Sequence, residues 1–117
     1  MSVRNETDPG RIALIETLRN AEKTWEVLAP RYGVTRPDPP WKTSLIAICD
    51  CLAESGNLPA VERRQAEDKL IDSIYSDVAP PERQLFALVH VMLSRGLVTE
   101  NELTDRMRAV RARLEST

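Results

Sequence analysis

The chain has 117 residues, of which 42% are hydrophobic and 4% aromatic. This length fits one hydrophobic core, and the scarcity of aromatic residues favours aliphatic helix packing over a sandwich or barrel. The chain has 16 basic and 18 acidic residues, a net charge of −2, whereas a nucleic-acid-binding domain usually has a basic excess. No apolar run approaches the roughly 18 residues of a membrane span, and no signal-peptide core is visible. We therefore expect a cytoplasmic protein that binds neither nucleic acid nor a membrane.

The N-terminal part of the sequence predicts a helical arm followed by a linker. Asp8 is a suitable N-cap and Pro9 a suitable first helical residue, so the first helix is predicted to begin at Asp8 and to end before Pro30. Its apolar stripe consists of Leu14, Leu18, Ala21, Trp25 and Leu28. The proline-rich stretch that follows predicts an extended linker. The predicted division is an arm with its linker over 1–36 and a helical-hairpin domain over 37–117. The arm either folds back onto its own core or reaches across to a partner chain.

Four further helices are predicted, each bounded by residues that start or stop a helix. Their predicted ranges are 38–55, 59–75, 80–95 and 100–115. Gly56 and Gly96 supply left-handed residues that end the first helix of each pair. Thr99 and Glu102 have the spacing of a capping box at the start of the last helix. The sequence thus predicts an all-α fold of about five helices, with an N-terminal arm, a proline-rich linker and two packed helical hairpins.

The two predicted hairpins are related by an offset of forty positions. At this offset Pro40 corresponds to Pro80, Leu45 to Leu85, Ala47 to Ala87, Ile48 to Leu88 and Gly56 to Gly96. This period lies within the range of helical-hairpin repeats, although a stable solenoid needs about three units. Either a true repeat or a coincidence between two ordinary hairpins explains the pattern.

Candidate catalytic and metal-binding residues are few. Cys49 and Cys51 lie two positions apart in a predicted helix, so they face different directions and can neither form a disulfide nor share a metal while the helix is intact. Two buried thiols are the simplest interpretation, and a metal or redox role stays open because Asp50 lies between them. His90 is the only histidine, and its aliphatic neighbours predict a partly buried structural role. We expect the chain itself to bind no metal or cofactor.

Residues 82–102 resemble a run in the helical, non-catalytic subunit of the metal-dependent nitrile hydratases and in the related small activator proteins. In that family an acidic residue precedes Phe-Ala-Leu, a helix follows, and a Gly-Leu or Gly-Val, Thr, Glu element opens the next helix. The matching residues here are Glu82, Phe86, Ala87, Leu88, Arg95, Gly96, Leu97, Thr99 and Glu102. The resemblance covers about a fifth of the chain and implies a helical subunit of a nitrile hydratase or thiocyanate hydrolase type complex.

The resemblance also implies that the chemistry belongs to partner chains. The Cys-x-x-Cys-Ser-Cys claw that holds cobalt or iron in the catalytic subunit is absent from this sequence. The chain therefore resembles the N-terminal half of the beta-type subunit, which packs on the claw subunit and completes its active site. The sequence ends at Thr117 without barrel strands, which fits a barrel half on a separate subunit. An activator that helps to load the metal, or an unrelated helical interaction module, would carry the same pattern.

Four residues are predicted to meet the partner. Trp25 and Trp41 lie near the two ends of the linker, and large aromatic residues are enriched at interface anchors, so both are expected in the interface together with Phe86. In the family, arginines of the helical subunit hydrogen-bond the oxidised cysteine oxygens of the claw, and the resemblance suggests Arg83 for this role. The sequence departs from the family here, because Gln84 occupies the position at which the arginine best aligns. The alternative is that Arg83 faces solvent.

Overall fold

The computed structural model describes residues 10–21, 24–35 and 38–116, which contain helices and no strands. The six helices of the described residues are α1 (Ala13–Asn20), α2 (Trp25–Arg31), α3 (Lys42–Ser55), α4 (Ala60–Ile71), α5 (Pro80–Ser94) and α6 (Glu100–Glu115). The prediction of an all-α fold is therefore confirmed. None of the described helices is both long enough and apolar enough to cross a membrane.

The single helix predicted for the N-terminal arm is divided into two. α1 ends at Asn20, and Thr24 has an extended backbone, with φ −75° and ψ 158°, from which α2 begins at Trp25. The prediction that the helix ends before Pro30 is wrong, because this proline lies inside the last turn of α2. A proline there removes only one hydrogen bond of the helix. The predicted start at Asp8 lies outside the described residues.

Helix α1 of the predicted arm packs onto the chain's own core. Ile15 of α1 is fully buried, and Leu18 packs against the same core. The guanidinium of Arg19 donates a hydrogen bond of 2.6 Å to the Ile74 carbonyl and also pairs with the Asp77 carboxylate. The sequence leaves open whether the arm folds back onto its own core or reaches across to a partner chain, and α1 folds back.

Helix α5 forms the centre of the core, and α4 packs along it. The buried residues of α5 are Glu82, Phe86, Ala87, Leu88, His90 and Val91. The helix predicted over 59–75 is shorter than expected, since α4 ends at Ile71 and a turn follows. This turn adds Ile74, Tyr75 and Val78 to the core. A helix that is apolar on most sides belongs in a core, and α5 occupies that place within this chain.

The two hairpins have matching turns. Gly56 and Gly96 have φ values of 76° and 72°, a left-handed conformation that strains residues with a Cβ atom. The N–H of each glycine donates a hydrogen bond of 3.2 Å to the carbonyl three residues earlier, in Ala53 and Leu93 respectively. The second helices of the hairpins, α4 and α6, begin forty positions apart. The offset seen in the sequence is thus also an offset between equivalent turns.

The outer helices α3 and α6 contribute little to the core. Leu45 is the one buried residue of α3, and none of the residues of α6 is buried. α6 begins with the predicted capping box, which is confirmed. The Glu102 N–H donates to Thr99 Oγ1 at 3.1 Å, and the Thr99 N–H donates to Glu102 Oε1 at 3.0 Å. α6 therefore depends on its own cap more than on tertiary packing.

Candidate interaction surface

The first turn of α5 lies between the two tryptophans. Pro80 and Pro81 border a groove of about 430 Å³ that Trp25 also lines. The same prolines border a smaller cavity of about 220 Å³, which Trp41 lines. We call these four residues the tryptophan surface. The fold therefore brings together two aromatic side chains that the sequence places at opposite ends of a linker.

A buried carboxylate holds Trp25 at this surface. Trp25 is the first residue of α2, and its backbone N–H donates a hydrogen bond of 3.2 Å to Oε2 of Glu82. Glu82 is only 6% exposed, and a carboxylate is favourably placed at the positive end of a helix. One residue of the run that carries the resemblance thus joins α5 to α2 and positions the indole beside the prolines.

Trp25 is anchored through its backbone and Trp41 through its side chain, and both residues are partly exposed. Trp41 directly precedes α3, and its side chain packs against the core cluster while remaining half-buried. Trp25 is also half-buried. A side chain that is already packed on one side loses little conformational freedom when a partner covers the other side. The tryptophan surface therefore has the properties of a preorganised contact.

Arg83 uses its guanidinium within the chain. Its Nε donates a hydrogen bond of 2.9 Å to the Val78 carbonyl, and one terminal nitrogen donates to the Ser76 carbonyl at 3.3 Å. The side chain is half-buried and closes the turn between α4 and α5. The planar arrangement of donors that suits an anionic partner is thus engaged with backbone carbonyls.

Phe86 lies in the interior of the chain. It is 7% exposed, and its ring packs on Tyr75 with a centroid separation of 6.1 Å. Its burial therefore requires no partner. Trp25 and Trp41 are the predicted interface residues that remain at the surface, whereas Phe86 supports the helix on which this surface is built.

The only histidine pairs with a tyrosine that sequence reasoning missed. A hydrogen bond of 2.7 Å joins Tyr75 Oη and His90 Nδ1, and the two rings meet edge to face. Burial raises the pKa of Tyr75 far above its ordinary value, and the nearby Glu16 carboxylate raises it further. His90 is 5% exposed, so the prediction of a structural role agrees with its surroundings. No spacing rule relates these positions, because the pairing depends on the turn after α4.

A groove of about 760 Å³ between α4 and α5 reaches His90. Glu62 and Arg95 line the groove and form an ion pair of 2.8 Å across it. The two helices therefore leave a polar cleft along their shared edge. Glu62 and Arg95 neutralise each other, and the imidazole that the groove reaches is held by Tyr75.

The two cysteines differ in their surroundings. Cys49 is half-buried, and desolvation raises the pKa of its thiol, whereas Cys51 is exposed. The prediction of two buried thiols is therefore wrong for Cys51, because α3 has little packing on its outer side. Within 10–21, 24–35 and 38–116, no group of three or more histidine, cysteine, aspartate or glutamate residues is arranged to hold a metal ion.

Comparisons with known proteins return no relative of this chain. No family model, no curated protein and no solved structure matches it.

Proposed function

We propose that this chain is a non-catalytic helical subunit that binds a larger protein through the tryptophan surface. We further propose that the larger protein is the metal-bearing claw subunit of a nitrile hydratase or thiocyanate hydrolase type complex, with a separate barrel-type subunit completing the assembly. The observation that carries the proposal is the position of Trp25 and Trp41 on either side of Pro80 and Pro81. Cobalt or iron would be bound by the partner.

The position of the matched run supports this proposal. Its first residue, Glu82, bonds the N–H of Trp25, so the run begins directly beneath the proposed contact. Anchored aromatic side chains next to rigid backbone are typical of interface centres, where a few residues supply most of the binding free energy. A partner that docks here would contact α2 and α5 together.

A second candidate is a helical interaction module unrelated to that family. The observation in its favour is that the matched residues have roles that any helical hairpin requires. Gly96 has a left-handed backbone, Thr99 and Glu102 form a capping box, and Phe86 lies in the core. This module would use the same tryptophan surface for a different partner.

Arg83 is proposed to contact the partner's active site only if the partner displaces the hydrogen bonds that Arg83 makes within its own chain. Val78 and Ser76 carbonyls accept from two of its nitrogens in the isolated chain. Arg83→Lys keeps the charge but loses the planar fork. A loss of turnover in the complex with unchanged stability of the isolated chain would support contact with the active site. Loss of stability alone would assign Arg83 to the turn.

The test is co-expression of the chain with a claw-bearing subunit, followed by native mass spectrometry before and after cobalt loading. A complex of fixed stoichiometry that persists after loading is expected. Release of the chain after loading would instead identify an activator. No complex in either state would contradict the assignment to this family.

Variants of the tryptophans test the surface itself. Trp25→Ala and Trp41→Ala should each weaken the complex by at least about tenfold, as expected for interface anchors. Tyr32→Ala is the matched control, because Tyr32 is an exposed aromatic residue that lines neither cavity of the surface. Equal affinities for all three variants would place the contact elsewhere.

A further inference from the structure

A cavity of about 440 Å³ lies where α1, α2 and the start of α5 meet. Its apolar wall consists of Leu18, Val27, Val78 and Phe86, and no residue of the tryptophan surface lines it. Val27 is 45% exposed, so the cavity is open to solvent on the α2 side. Its volume lies within the range of sites that bind small molecules.

The wall of this cavity contains the buried carboxylate of Glu82. This residue is 6% exposed, and its Oε2 accepts the hydrogen bond of 3.2 Å from the Trp25 N–H. Its Oε1 is also buried, but it accepts no hydrogen bond from the described part of the chain. An ionised carboxylate accepts about four hydrogen bonds, and burying one without enough donors costs free energy. Glu82 therefore has unused acceptor capacity beside the cavity.

The arginine that lines the cavity does not satisfy Glu82. The Arg19 guanidinium instead donates to the Ile74 carbonyl and pairs with the Asp77 carboxylate. Arg19, Asp77 and Glu82 are the charged residues among the described residues that line the cavity. Since Arg19 and Asp77 neutralise each other, one negative charge remains, and it belongs to the least exposed residue of the three.

We propose that the cavity binds a small organic cation, a primary ammonium group on a short apolar stem. The ammonium would donate charge-assisted hydrogen bonds to Glu82, which needs only a small turn of the carboxylate because the terminal torsion of a glutamate is broad. Thr24 lines the cavity and its side chain makes no cap bond, so its hydroxyl supplies a second acceptor. The stem would pack on Leu18, Val27 and Phe86. A ligand of the same shape without positive charge would leave the carboxylate unpaired.

An organic cation suits this wall better than a metal ion does. Calcium and magnesium take about six or more oxygen ligands, and the described ranges contain no group of three or more acidic, histidine or cysteine residues arranged to hold a metal ion. The apolar residues of the wall instead match a hydrocarbon stem, whose removal from water is itself favourable.

Binding is tested by titrating the full, isotopically labelled chain with n-butylammonium chloride and following the amide signals of Thr24 and Trp25 by NMR. n-Butanol and sodium butyrate are the matched neutral and anionic probes, at the same ionic strength. Glu82→Gln removes the charge and keeps the size of the side chain. Glu26→Gln is the matched control, because Glu26 is an exposed residue of α2 that does not line the cavity. Val27→Phe narrows the cavity from its exposed wall and leaves Glu82 unchanged.

We expect saturable binding of n-butylammonium, and binding of the other two probes that is weaker by about tenfold or more. Glu82→Gln and Val27→Phe should each weaken binding by about tenfold or more, whereas Glu26→Gln should leave it unchanged. Circular dichroism shows whether each variant is folded, and if Glu82→Gln is not, Val27→Phe and the two matched probes decide. Absence of saturable binding, equal binding of n-butanol, or equal effects of Glu82→Gln and Glu26→Gln would overturn the proposal.

Discussion

Helices α5 and α3 open the two hairpins of the same chain, yet their environments are opposite. Phe86 and Leu88 of α5 are 7% and 2% exposed, while the corresponding Ile46 and Ile48 of α3 are about half exposed. Both helices are apolar and both end at a left-handed glycine. The pattern that makes a helix apolar therefore does not decide whether it is buried in its own chain; the presence of a neighbouring helix decides this.

The same comparison separates α4 from α6. α4 begins after Pro59, which makes no side-chain cap bond, and packing on α5 holds it. α6 has no buried residue and begins with a capping box at Thr99. The packed pair of α4 and α5 is stabilised by tertiary contacts, whereas α6 is stabilised by its local sequence.

The largest expected difference in the free energy of unfolding is between a substitution on the buried face of α5 and one at the equivalent, exposed position of α3. Phe86→Ala should lower the free energy of unfolding by about 3–5 kcal/mol, because it removes a buried ring and leaves a cavity. Ile46→Ala, at the equivalent position of α3, should change it by no more than about 0.5 kcal/mol. Chemical denaturation of dilute protein measures both values. Similar losses for the two variants would break the comparison.

Loss of the hydrogen bond between Tyr75 and His90 should have an intermediate effect on the free energy of unfolding. Tyr75→Phe removes the hydroxyl that bonds His90 Nδ1, and leaving a buried polar atom with one partner fewer should cost about 1–3 kcal/mol. The same denaturation experiment applies. A stability equal to that of the wild type would show that the Tyr75 hydroxyl does not stabilise the packing of α4 and α5.

Tyr75 also makes a prediction about alkaline pH. Because burial raises the pKa of its hydroxyl in the folded state, the unfolded chain loses this proton first, near pH 10. The contribution of Tyr75 is therefore complete below about pH 10 and decreases as the pH rises towards the folded-state value. Unfolding curves between neutral and alkaline pH should show this decrease in the wild type. In Tyr75→Phe the decrease should be smaller, and an identical pH dependence would contradict the assignment.

The smallest of these energetic effects should be local to α6. Thr99→Ala removes the hydroxyl of the capping box and should weaken the helix by about 1 kcal/mol. Because α6 has no buried residue, amide exchange in α6 should accelerate while α5 keeps its protection. Glu100→Gln, a change in the same turn outside the box, is the matched control. Equal acceleration in α5 would mean that the last helix is coupled to the core.

Local signals in the sequence were sufficient for much of the fold. The start at Pro80, the stops at Gly56 and Gly96 and the capping box at Thr99 are all present as predicted, because each depends on residues within a few positions of one another. Even the central helix α5 could be recognised, since its apolar residues surround it on most sides.

Features that depend on distant contacts could not be predicted in the same way. The break between α1 and α2 lies within an uninterrupted apolar stripe, and the bond from Trp25 to Glu82 spans more than fifty positions. The pairing of Tyr75 with His90 requires the turn that follows α4. Cys51 lies in an apolar helix, where a buried thiol is expected. It is exposed because α3 has little packing on its outer side.

The reactivity of a thiol at equivalent positions of α3 and α5 tests most directly whether the two helices have opposite environments. A Cys49→Ser variant leaves Cys51 as the one thiol, and its rate of modification by a small alkylating reagent is measured in the folded protein and in denaturant. We predict that Cys51 reacts nearly as fast in the folded chain as in the unfolded chain, because its side chain is exposed. In a variant with Cys49→Ser, Cys51→Ser and Val91→Cys, the one thiol should be strongly protected in the folded chain, because Val91 is only 3% exposed. Equal protection of the two thiols would contradict the account.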